Sequence, residues 1–393
     1  MIINAGWEQE QLIKEAKNMG LWVLAVDSNP KASSFSFVDK YEIANPRDLW
    51  KCLEIAKKYK IAGVIADQCD YSIFTSAFVA ESLHLPGPRI KYAQAANKKW
   101  TRLFCKEAGI VQPEFRVVLD RIETRKAAKE IGLPVVIKPV DNRGAFGTRI
   151  VDKVDDLDEA YFEAIVNSHS REVLVERKIE GIHLTVDGFG FGKGRHKSLA
   201  VASKDIMTGQ RPIVINVYYP AKISADTIEY VKKINNDVIN VLGIEYGATH
   251  VEYILDRKNK PYLLEVAARG GGVHTASKII PAITGVNISE LLIKWALGRR
   301  LNYPESSNGK WKAAYLGFIV FKRGKIKKIK GLDRLQSFPG LLHFQLLVKK
   351  GDILSEVKSG AFRHGFYITA GDTLSGAIAS GNKIASIVNV EYE

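Results

Sequence analysis

The chain has 393 residues, of which 46% are hydrophobic and 25% are charged. This composition is typical of a globular protein and excludes a largely disordered chain, while the length predicts two or three domains. No stretch of about 18 uncharged apolar residues occurs, which excludes a transmembrane helix. The three cysteines form no Cys-x-x-Cys pair, which excludes a disulfide framework and a thiolate zinc site and favours a reducing cytoplasm.

The net charge of +14 is concentrated near the end of the chain, because residues 301–393 carry half of it. The densest basic run is 321–330. Its simplest interpretation is a two-stranded turn around Gly324 whose solvated lysines also protect a sheet edge. A patch that binds polyanions or acidic substrates is the alternative. No aromatic residue stands between the basic ones, so we do not expect nucleic-acid binding.

The first 88 residues alternate between strand and helix patterns. Continuous apolar runs at 21–26 and 61–66 predict strands that are buried on both faces, and the helical period of 48–60 lies between them. This order predicts an open parallel α/β sheet. The first loop lacks the Gly-x-Gly-x-x-Gly pattern of dinucleotide-binding folds, which disfavours a nicotinamide oxidoreductase.

The rest of the chain mixes helices and strands in an α+β pattern. Helices are predicted at 97–108, 121–131, 156–167, 224–242 and 287–298. Strands are predicted at 135–138, 172–176, 183–190, 198–203, 213–219, 246–255 and 261–267. Residues 301–393 are predicted to be mostly β, with a final helix near 373–386. We therefore expect three domains, at 1–88, 89–300 and 301–393.

Two glutamates belong to a predicted β-hairpin. Its polar turn lies at 256–261, and in a hairpin symmetric about the 258/259 bond Glu252 lies directly opposite Glu265. Two opposed carboxylates repel each other unless a cation or a shared proton intervenes. The residues predicted to face the core are Val251, Tyr253, Leu255, Tyr262, Leu264 and Val266. The glutamates then face a site suited to Mg²⁺ that bridges phosphates, or they are simply two solvated glutamates.

Two further motifs suggest phosphate binding, and a third suggests adenine binding. Arg269 lies four residues after Glu265 and precedes three glycines, so its guanidinium can bind a phosphate or a carboxylate through two hydrogen bonds. Lys138 ends a buried strand, where an ammonium needs an anionic partner, and the following loop 141–148 can offer backbone N–H groups to phosphates. Glu176 ends the next strand pattern and is a candidate acceptor for an adenine amine, although a salt bridge is the simpler interpretation.

In this order the motifs resemble those of the ATP-grasp superfamily. The matching positions, spread over about residues 1–300, are Asn97, Lys98, Arg102, Lys138 with its glycine loop, Glu176, Gly181, Glu252, Glu265 and Arg269. The segment 364–373 resembles the small C-terminal domains of L-amino-acid ligases and biotin-carboxylase-like relatives. The resemblance implies an ATP-grasp fold with a Rossmann-like N-terminal domain and a small, mostly β C-terminal domain.

The resemblance also implies roles for individual residues. The implied ATP-binding residues are Lys98, Lys138, Gly144, Ala145, Phe146, Gly147, Glu176, Lys178, Ile179, His183 and Lys204. Lys99 is an alternative to Lys98, because both follow Asn97. Glu252 and Glu265 would hold Mg²⁺ or Mn²⁺. The implied catalytic residues are Arg269 and Lys138, and the implied substrate-binding residues are Arg269, Gly271 and His274.

Two positions depart from the superfamily pattern. His183 stands where many relatives have a ribose-binding glutamate, and Ala267 stands where many have a metal-binding asparagine. For His274, contact with substrate and a purely structural place at a helix start are both open, whereas His250 is interpreted as structural.

The resemblance implies an ATP-dependent carboxylate–amine ligase. Such an enzyme phosphorylates a carboxylate to an acyl phosphate and passes the acyl group to an amine, with release of ADP and phosphate. Loops at 141–148 and 204–216 are expected to exclude water. A bicarbonate-activating carboxylase and a non-catalytic nucleotide- or polyanion-binding protein are the alternatives. We expect small-molecule substrates, a cytoplasmic location and a homodimer, without nucleic-acid or membrane partners.

Overall fold

The structure is a computed structural model that describes residues 1–142, 144–207, 209–304 and 308–393. The α-helices are α1 Glu10–Asn18, α2 Leu49–Lys58, α3 Asp70–Ser82, α4 Ile90–Ala93, α5 Lys98–Glu107, α6 Arg121–Ile131, α7 Leu157–Val166, α8 Ala225–Val241, α9 Ile280–Thr284, α10 Ile288–Ala296 and α11 Leu374–Ile387. The strands are β1 Ile2–Ile3, β2 Leu24–Asp27, β3 Lys40–Ile43, β4 Phe115–Val118, β5 Val135–Pro139, β6 Arg149–Val151, β7 Val173–Arg177, β8 Ile182–Phe191, β9 His196–Ile206, β10 Val214–Tyr219, β11 Tyr246–Leu255, β12 Pro261–Ala267, β13 Ala313–Ile319, β14 Gly324–Lys330, β15 Leu341–Leu346, β16 Ile353–Leu354, β17 Gly365–Gly371 and β18 Asn389–Tyr392.

The N-terminal segment contains the predicted parallel sheet. Strands β1, β2 and β3 pair in parallel in that order, and helices α2 and α3 pack against each other. The predicted strand at 61–66 is wrong as a regular strand. Only Ile65 forms a bridge, to Ile2, so this buried segment lies beside β1 without continuous pairing.

Two antiparallel sheets form the middle of the molecule. Strands β4, β7, β5 and β6 form a small sheet in the order β4-β7-β5-β6. The larger sheet has the order β12-β11-β8-β9-β10-β13-β17-β15. The five helices and seven strands predicted between residues 89 and 300 are all present, with ends that differ from the predictions by at most three residues.

Over β8, β9, β11 and β12, one face of the larger sheet is apolar, and the other carries polar residues such as Thr185, Lys204 and Glu252 beside buried apolar ones such as Phe189. Leu184 and Val186 of β8 point into a core that also contains Val251 of β11 and Val231 of α8. Side chains alternate along a strand, so residues at every second position on these strands point to the opposite face. This opposite face is the floor of the cleft described below.

The C-terminal segment continues the larger sheet. Strand β13 pairs with β10, and β17 and β15 follow, so the sheet crosses the predicted domain boundary at residue 300. The predicted helix near 373–386 is present as α11, and the strand β18 follows it. The division into three domains stays a prediction.

The basic run near the C-terminus differs from its prediction. Gly324 begins a strand, β14, which is the centre of a three-stranded sheet with β16 and β18, so the run is neither a turn around Gly324 nor a sheet edge. Its lysines are exposed, as predicted. Lys325 pairs with Glu393 at 2.6 Å, and Lys330 pairs with Glu391. These acidic partners offset part of the charge that a polyanion would meet.

Among the described residues, no single helix has the length and apolarity of a membrane span. The bent pair Thr275–Thr284 and Ile288–Ala296, with 117° between its two parts, meets the length and composition criteria only jointly.

Residues of the large hydrophobic core beneath the cleft should contribute more to the free energy of unfolding than exposed residues do. Phe189 of β8 is fully buried in a cluster that joins α1, the larger sheet and β17, whereas Phe162 on α7 is 53% exposed. We expect Phe189→Ala to lower the free energy of unfolding by about 3–5 kcal/mol, because it leaves a cavity, and Phe162→Ala to lower it far less. Chemical denaturation of both variants measures this, and equal losses would contradict it.

Candidate active site

A single cleft over the polar face of the larger sheet brings together residues that are far apart in the sequence. Seven of the residues that the sequence analysis proposed for the site line this cleft: Gly144, Ala145, Phe146, Lys204, Glu252, Glu265 and Arg269. The N-terminal segment adds Trp7, Glu8 and Gln68 to the lining. The C-terminal segment adds Phe318, Leu347, Arg363 and Phe366.

The two glutamates of the β11–β12 hairpin are direct partners, as predicted from the hairpin symmetry. The register shifts by one residue between Glu252 and the turn, however, so Tyr253 faces Leu263. The prediction that Tyr262 and Leu264 face the core is therefore wrong, since both are only partly buried. Leu263 packs into the core instead. A β-bulge of this kind changes which face a side chain occupies without breaking the hairpin.

Each of the two carboxylates has a lysine partner. Lys204 Nζ lies 2.6 Å from Glu252 Oε1, and Lys98 Nζ lies 3.1 Å from Glu265 Oε2. Burial alone would raise the pKa of Glu252, but the Lys204 ammonium and the neighbouring His250 hold it well below the usual range. The lysines thus offset the repulsion between two opposed anions.

The pair has the donor chemistry of a magnesium site. Carboxylate oxygens are the ligands that Mg²⁺ prefers, and it commonly takes only one or two of them together with phosphate oxygens. Within the described part of the chain, no cluster of three His, Cys, Asp or Glu residues forms a fuller ligand set. Ala267, directly opposite His250, offers no side-chain oxygen. The residues therefore fit a metal ion held mainly by a nucleotide.

The structure distinguishes between the two candidate lysines at the start of α5. Asn97 caps this helix through the backbone N–H of Trp100. Lys98 is buried and donates to the carbonyl of Asn142 at 2.7 Å as well as contacting Glu265. Lys99 instead pairs with Glu172. Lys98, and not Lys99, therefore lies at the glutamate pair.

Glu176 belongs to a buried ionic triad. Its carboxylate lies 2.5 Å from Arg102 Nε and 2.5 Å from Lys138 Nζ. Burial lowers the pKa of Lys138, whereas the two cations hold the pKa of Glu176 below its usual value against burial. The salt bridge that the sequence offered as the simpler interpretation of Glu176 is thus present, and its contact with adenine stays a prediction.

The glycine loop between β5 and β6 has the backbone of an anion-binding turn. Gly144, Ala145 and Gly147 all have left-handed φ angles, between 60° and 66°. A Cβ on Gly147 would lie 2.9 Å from Asn167 and 3.0 Å from the carbonyl of Glu163, so glycine is required there. Arg143 of this loop lies outside the described residues. Turns with left-handed residues can aim N–H groups at a phosphate.

The segment between β7 and β8 connects the two sheets. Lys178 donates its backbone N–H to the carbonyl of Pro134, and Ile179 follows in the irregular stretch. Gly181 lies so close to Leu255 that a Cβ would approach the carbonyl oxygen to 2.0 Å. His183 pairs in register with Lys204 on β9, and burial lowers its pKa. Of these residues, His183 lies near Glu252, whose charge partly opposes the effect of burial on its pKa.

Arg269 is held by a residue that the sequence did not suggest. Asp70, in the first turn of α3, accepts from Arg269 Nε at 2.5 Å and from Nη2 at 3.2 Å. The Asp70 carboxylate raises the pKa of the guanidinium even though burial opposes its charge. The two residues are 199 positions apart, and nothing local in the sequence links them.

A second unpredicted network lies at the base of the cleft. His250 contacts Asp187 at 2.8 Å, and Tyr219 donates to the other oxygen of Asp187 at 2.5 Å. Although burial opposes it, Asp187 raises the pKa of His250. A Cβ on Gly271 would lie 2.7 Å from His250 and 2.8 Å from Asp187. The visible role of Gly271 is thus to leave room for this pair, and its substrate contact stays a prediction.

His274 is not among the lining residues of the cleft, and its contact with substrate stays a prediction. It has a left-handed backbone and directs its ring into a buried aromatic cluster with Trp7, His343 and Phe366. Burial lowers the pKa of His274 to about 3. Its flanking residues Val273 and Thr275 line the cleft instead.

Comparison with solved structures shows the fold. The structure of L-amino acid ligase from Bacillus licheniformis has a TM-score of 0.84 at 20% identity and covers 100% of this chain and 98% of that one. A biotin carboxylase–β,γ-ATP complex from Campylobacter jejuni has a TM-score of 0.78 at 18% identity, covering 99% and 91%. Both span the entire arrangement of sheets described above, and the predicted ATP-grasp fold is confirmed.

Sequence comparison shows the family. Residues 101–303 match the family model of the carbamoyl-phosphate synthase L chain ATP-binding domain, and residues 317–393 match L-amino acid ligase C-terminal domain 2. An uncharacterized protein of Sinorhizobium fredii, y4rH, is 23% identical over 391 residues, covering 96% of this chain and 79% of that protein. The first model covers more than half of the chain, which therefore belongs to the family of the carbamoyl-phosphate synthase L chain ATP-binding domain.

Proposed function

We propose that the chain is an ATP-dependent ligase that joins a carboxylate to an amine through an acyl phosphate. One observation carries this proposal: Glu252 and Glu265 lie directly opposite each other and line the same cleft as Arg269 and the glycine loop. This arrangement combines a site for a phosphate-bridging metal with a guanidinium suited to phosphoryl oxygens. The family match supports the use of ATP.

The reaction needs two displacements. A carboxylate oxygen of the substrate attacks the γ-phosphorus of ATP, the bond from that phosphorus to the β–γ bridging oxygen breaks, and ADP leaves. The amine nitrogen then attacks the acyl carbon, phosphate leaves with the electrons of the C–O bond, and the nitrogen loses a proton. Phosphoryl transfer of this type depends mainly on positioning and charge stabilisation.

We assign the charged residues of the cleft to these steps. Glu252 and Glu265 would hold Mg²⁺ or Mn²⁺, which when bound neutralises charge on the transferred phosphoryl group. Lys98 and Lys204 already pair with the glutamates and are positioned to bind phosphate oxygens beside them. Arg269, fixed by Asp70, would stabilise the acyl phosphate and the departing phosphate.

Other residues would bind the nucleotide. The backbone of the loop Gly144, Ala145, Phe146 and Gly147 would bind phosphates, and Lys138 would contribute its charge from the buried triad. Lys178 and Ile179 would contact adenine through main-chain groups, and His183 would lie towards the ribose.

Bicarbonate activation is the second candidate, supported by the fold similarity to biotin carboxylase. It differs in its acceptor and predicts ADP release with bicarbonate and no organic acid. A non-catalytic binding protein would bind ATP without turnover. We favour the ligase because the C-terminal segment matches the L-amino acid ligase model. A cytoplasmic location, favoured by three buried unpaired cysteines, and a homodimer belong to the same proposal.

Removal of either opposed carboxylate tests the proposal. We expect Glu252→Gln and Glu265→Gln each to reduce amine-dependent ADP release by about 100-fold or more, because each removes a charged metal ligand. Glu229→Gln is the control, since Glu229 is an exposed helix residue with a lysine partner at 2.8 Å. A screen of carboxylates and amines with Mg²⁺·ATP, read by ADP release and product mass, measures this. Undiminished turnover in both variants would refute the metal assignment.

The ion pair between Asp70 and Arg269 makes a separate prediction. We expect Asp70→Asn to lower kcat by roughly 10- to 100-fold, because a misplaced guanidinium stabilises the transferred phosphate poorly, while the KM for ATP changes little. Asp226→Asn is a matched control: Asp226 is also an acidic residue in the first turn of a helix and is exposed. An effect confined to the KM for ATP would show that Arg269 serves nucleotide binding instead.

A further inference from the structure

Arg363 is a cation in the cleft wall without an acidic partner among the described residues. Its Nε donates to the carbonyl of Gly360 at 2.6 Å, and its Nη1 donates to the carbonyl of Val214 at 3.0 Å. The guanidinium also lies 3.4 Å from the ring centre of Phe318. Across the described ranges, no ion pair joins Arg363 to a carboxylate. Carbonyl groups and an aromatic face orient the guanidinium but carry no formal negative charge.

This lack of a counterion is energetically unusual. Burial lowers the pKa of Arg363 to about 9, and a buried charge is costly unless an opposite charge accompanies it. Arg269, which also lines the cleft, has such a partner in Asp70. In Arg363, the nitrogen Nη2 makes neither of the two carbonyl hydrogen bonds. A guanidinium whose Nη2 makes no hydrogen bond to the residues that the structure describes matches the planar oxygens of a carboxylate or phosphate.

The surroundings of Arg363 differ from those of the glutamate pair. The cleft wall around it is apolar and includes Ile213, Val214, Phe318, Leu347 and Phe366. By contrast, the floor bears Lys204, Glu252 and Glu265. A cation in an apolar wall suits a ligand with one anionic group and an apolar body, because few polar groups fix its orientation there.

The segment that carries Arg363 is attached to the glycine loop. The backbone N–H of Gly360 donates to the carbonyl of Gly144 at 3.2 Å, and the rings of Phe362 and Phe146 lie 6.0 Å apart, edge to face. The C-terminal segment and the proposed phosphate loop therefore share one rim of the cleft, which brings Arg363 within the same enclosure as the proposed reaction.

We propose that Arg363 forms an anion-recognition subsite for one of the two organic substrates. It binds a carboxylate or phosphate group that is not the carboxylate being activated, while the apolar wall holds the body of that substrate. That the ligand is a substrate rests on the proposed ligase function. Arg363 would bind an oxyanion in either case, and the triphosphate of ATP is the other possible source of that oxyanion.

Chemical labelling tests the subsite without turnover. Phenylglyoxal modifies arginine side chains, and peptide mass mapping reports the extent at Arg363. We expect hexanoate and butyl phosphate to reduce labelling of Arg363 at least threefold, and hexanamide, which has the same apolar body without the charge, to leave it unchanged. Mg²⁺·ATP alone should not protect. Protection by ATP alone, equal protection by hexanamide, or no protection by either anion would overturn the proposal.

Kinetics test the same subsite in the full chain. For the substrate pair found by ADP release, we expect Arg363→Met to raise the KM of one organic substrate at least tenfold and to change the KM for ATP less than twofold. Arg363→Lys keeps the charge, so its KM for that organic substrate should lie between those of the wild-type chain and Arg363→Met. Arg334→Met is the control, because Arg334 is an exposed arginine of the same C-terminal segment. Unchanged organic KM values, or a tenfold rise for ATP, would contradict the subsite.

The labelling and kinetic tests distinguish failure of the ligase proposal from failure of the Arg363 subsite. If no carboxylate and amine support ADP release, the ligase proposal fails, while protection of Arg363 by hexanoate still supports an anion subsite. If ADP release depends on an amine and Arg363→Met matches Arg334→Met in every KM, the ligase proposal stands and the subsite is refuted. A retained thermal melting temperature in Arg363→Lys identifies a folded variant for this comparison.

Discussion

The repulsion between two carboxylates on one β-hairpin is the constraint on which the cleft depends. Glu252 and Glu265 are direct partners on adjacent strands, and such a pair is unfavourable without positive charge between or beside it. Lys204 and Lys98 supply that charge from β9 and α5. Under the proposed function, a bound metal ion and phosphates would replace these lysine contacts.

Other charges of the site are also held in ion pairs. Arg269 is fixed by Asp70 from the N-terminal segment, and Lys138 by Glu176 on the adjacent strand. The first pair joins α3 to the end of β12, and the second lies within the small sheet. Arg363 differs from these paired charges, because within the described ranges its guanidinium is held by carbonyl groups and the ring of Phe318. That contrast is the reason for assigning it to a ligand and not to the scaffold.

Local patterns were sufficient to predict most of the fold and several residues that line the cleft. Hydrophobic periodicity predicted the helices and strands of 89–300, and hairpin symmetry predicted the partnership of Glu252 with Glu265. The bulge that moves Leu263 into the core left no sequence signal, since one residue of slip is decided by packing. Asp70, Asp187 and Arg363 were missed because their partners lie far along the chain. The sequence offered a salt bridge for Glu176, but a strand-end carboxylate does not reveal that Arg102 and Lys138 are the two cations beside it.

The most direct test of the account is the position of a bound divalent ion. A crystal structure of the chain with Mn²⁺ and a non-hydrolysable ATP analogue, recorded with anomalous data at the manganese edge, locates the ion without assumptions about turnover. The account predicts an anomalous peak within about 2.0–2.4 Å of carboxylate oxygens of both Glu252 and Glu265. A peak elsewhere in the cleft, or both glutamates still paired with Lys204 and Lys98 beside a bound nucleotide, would contradict it.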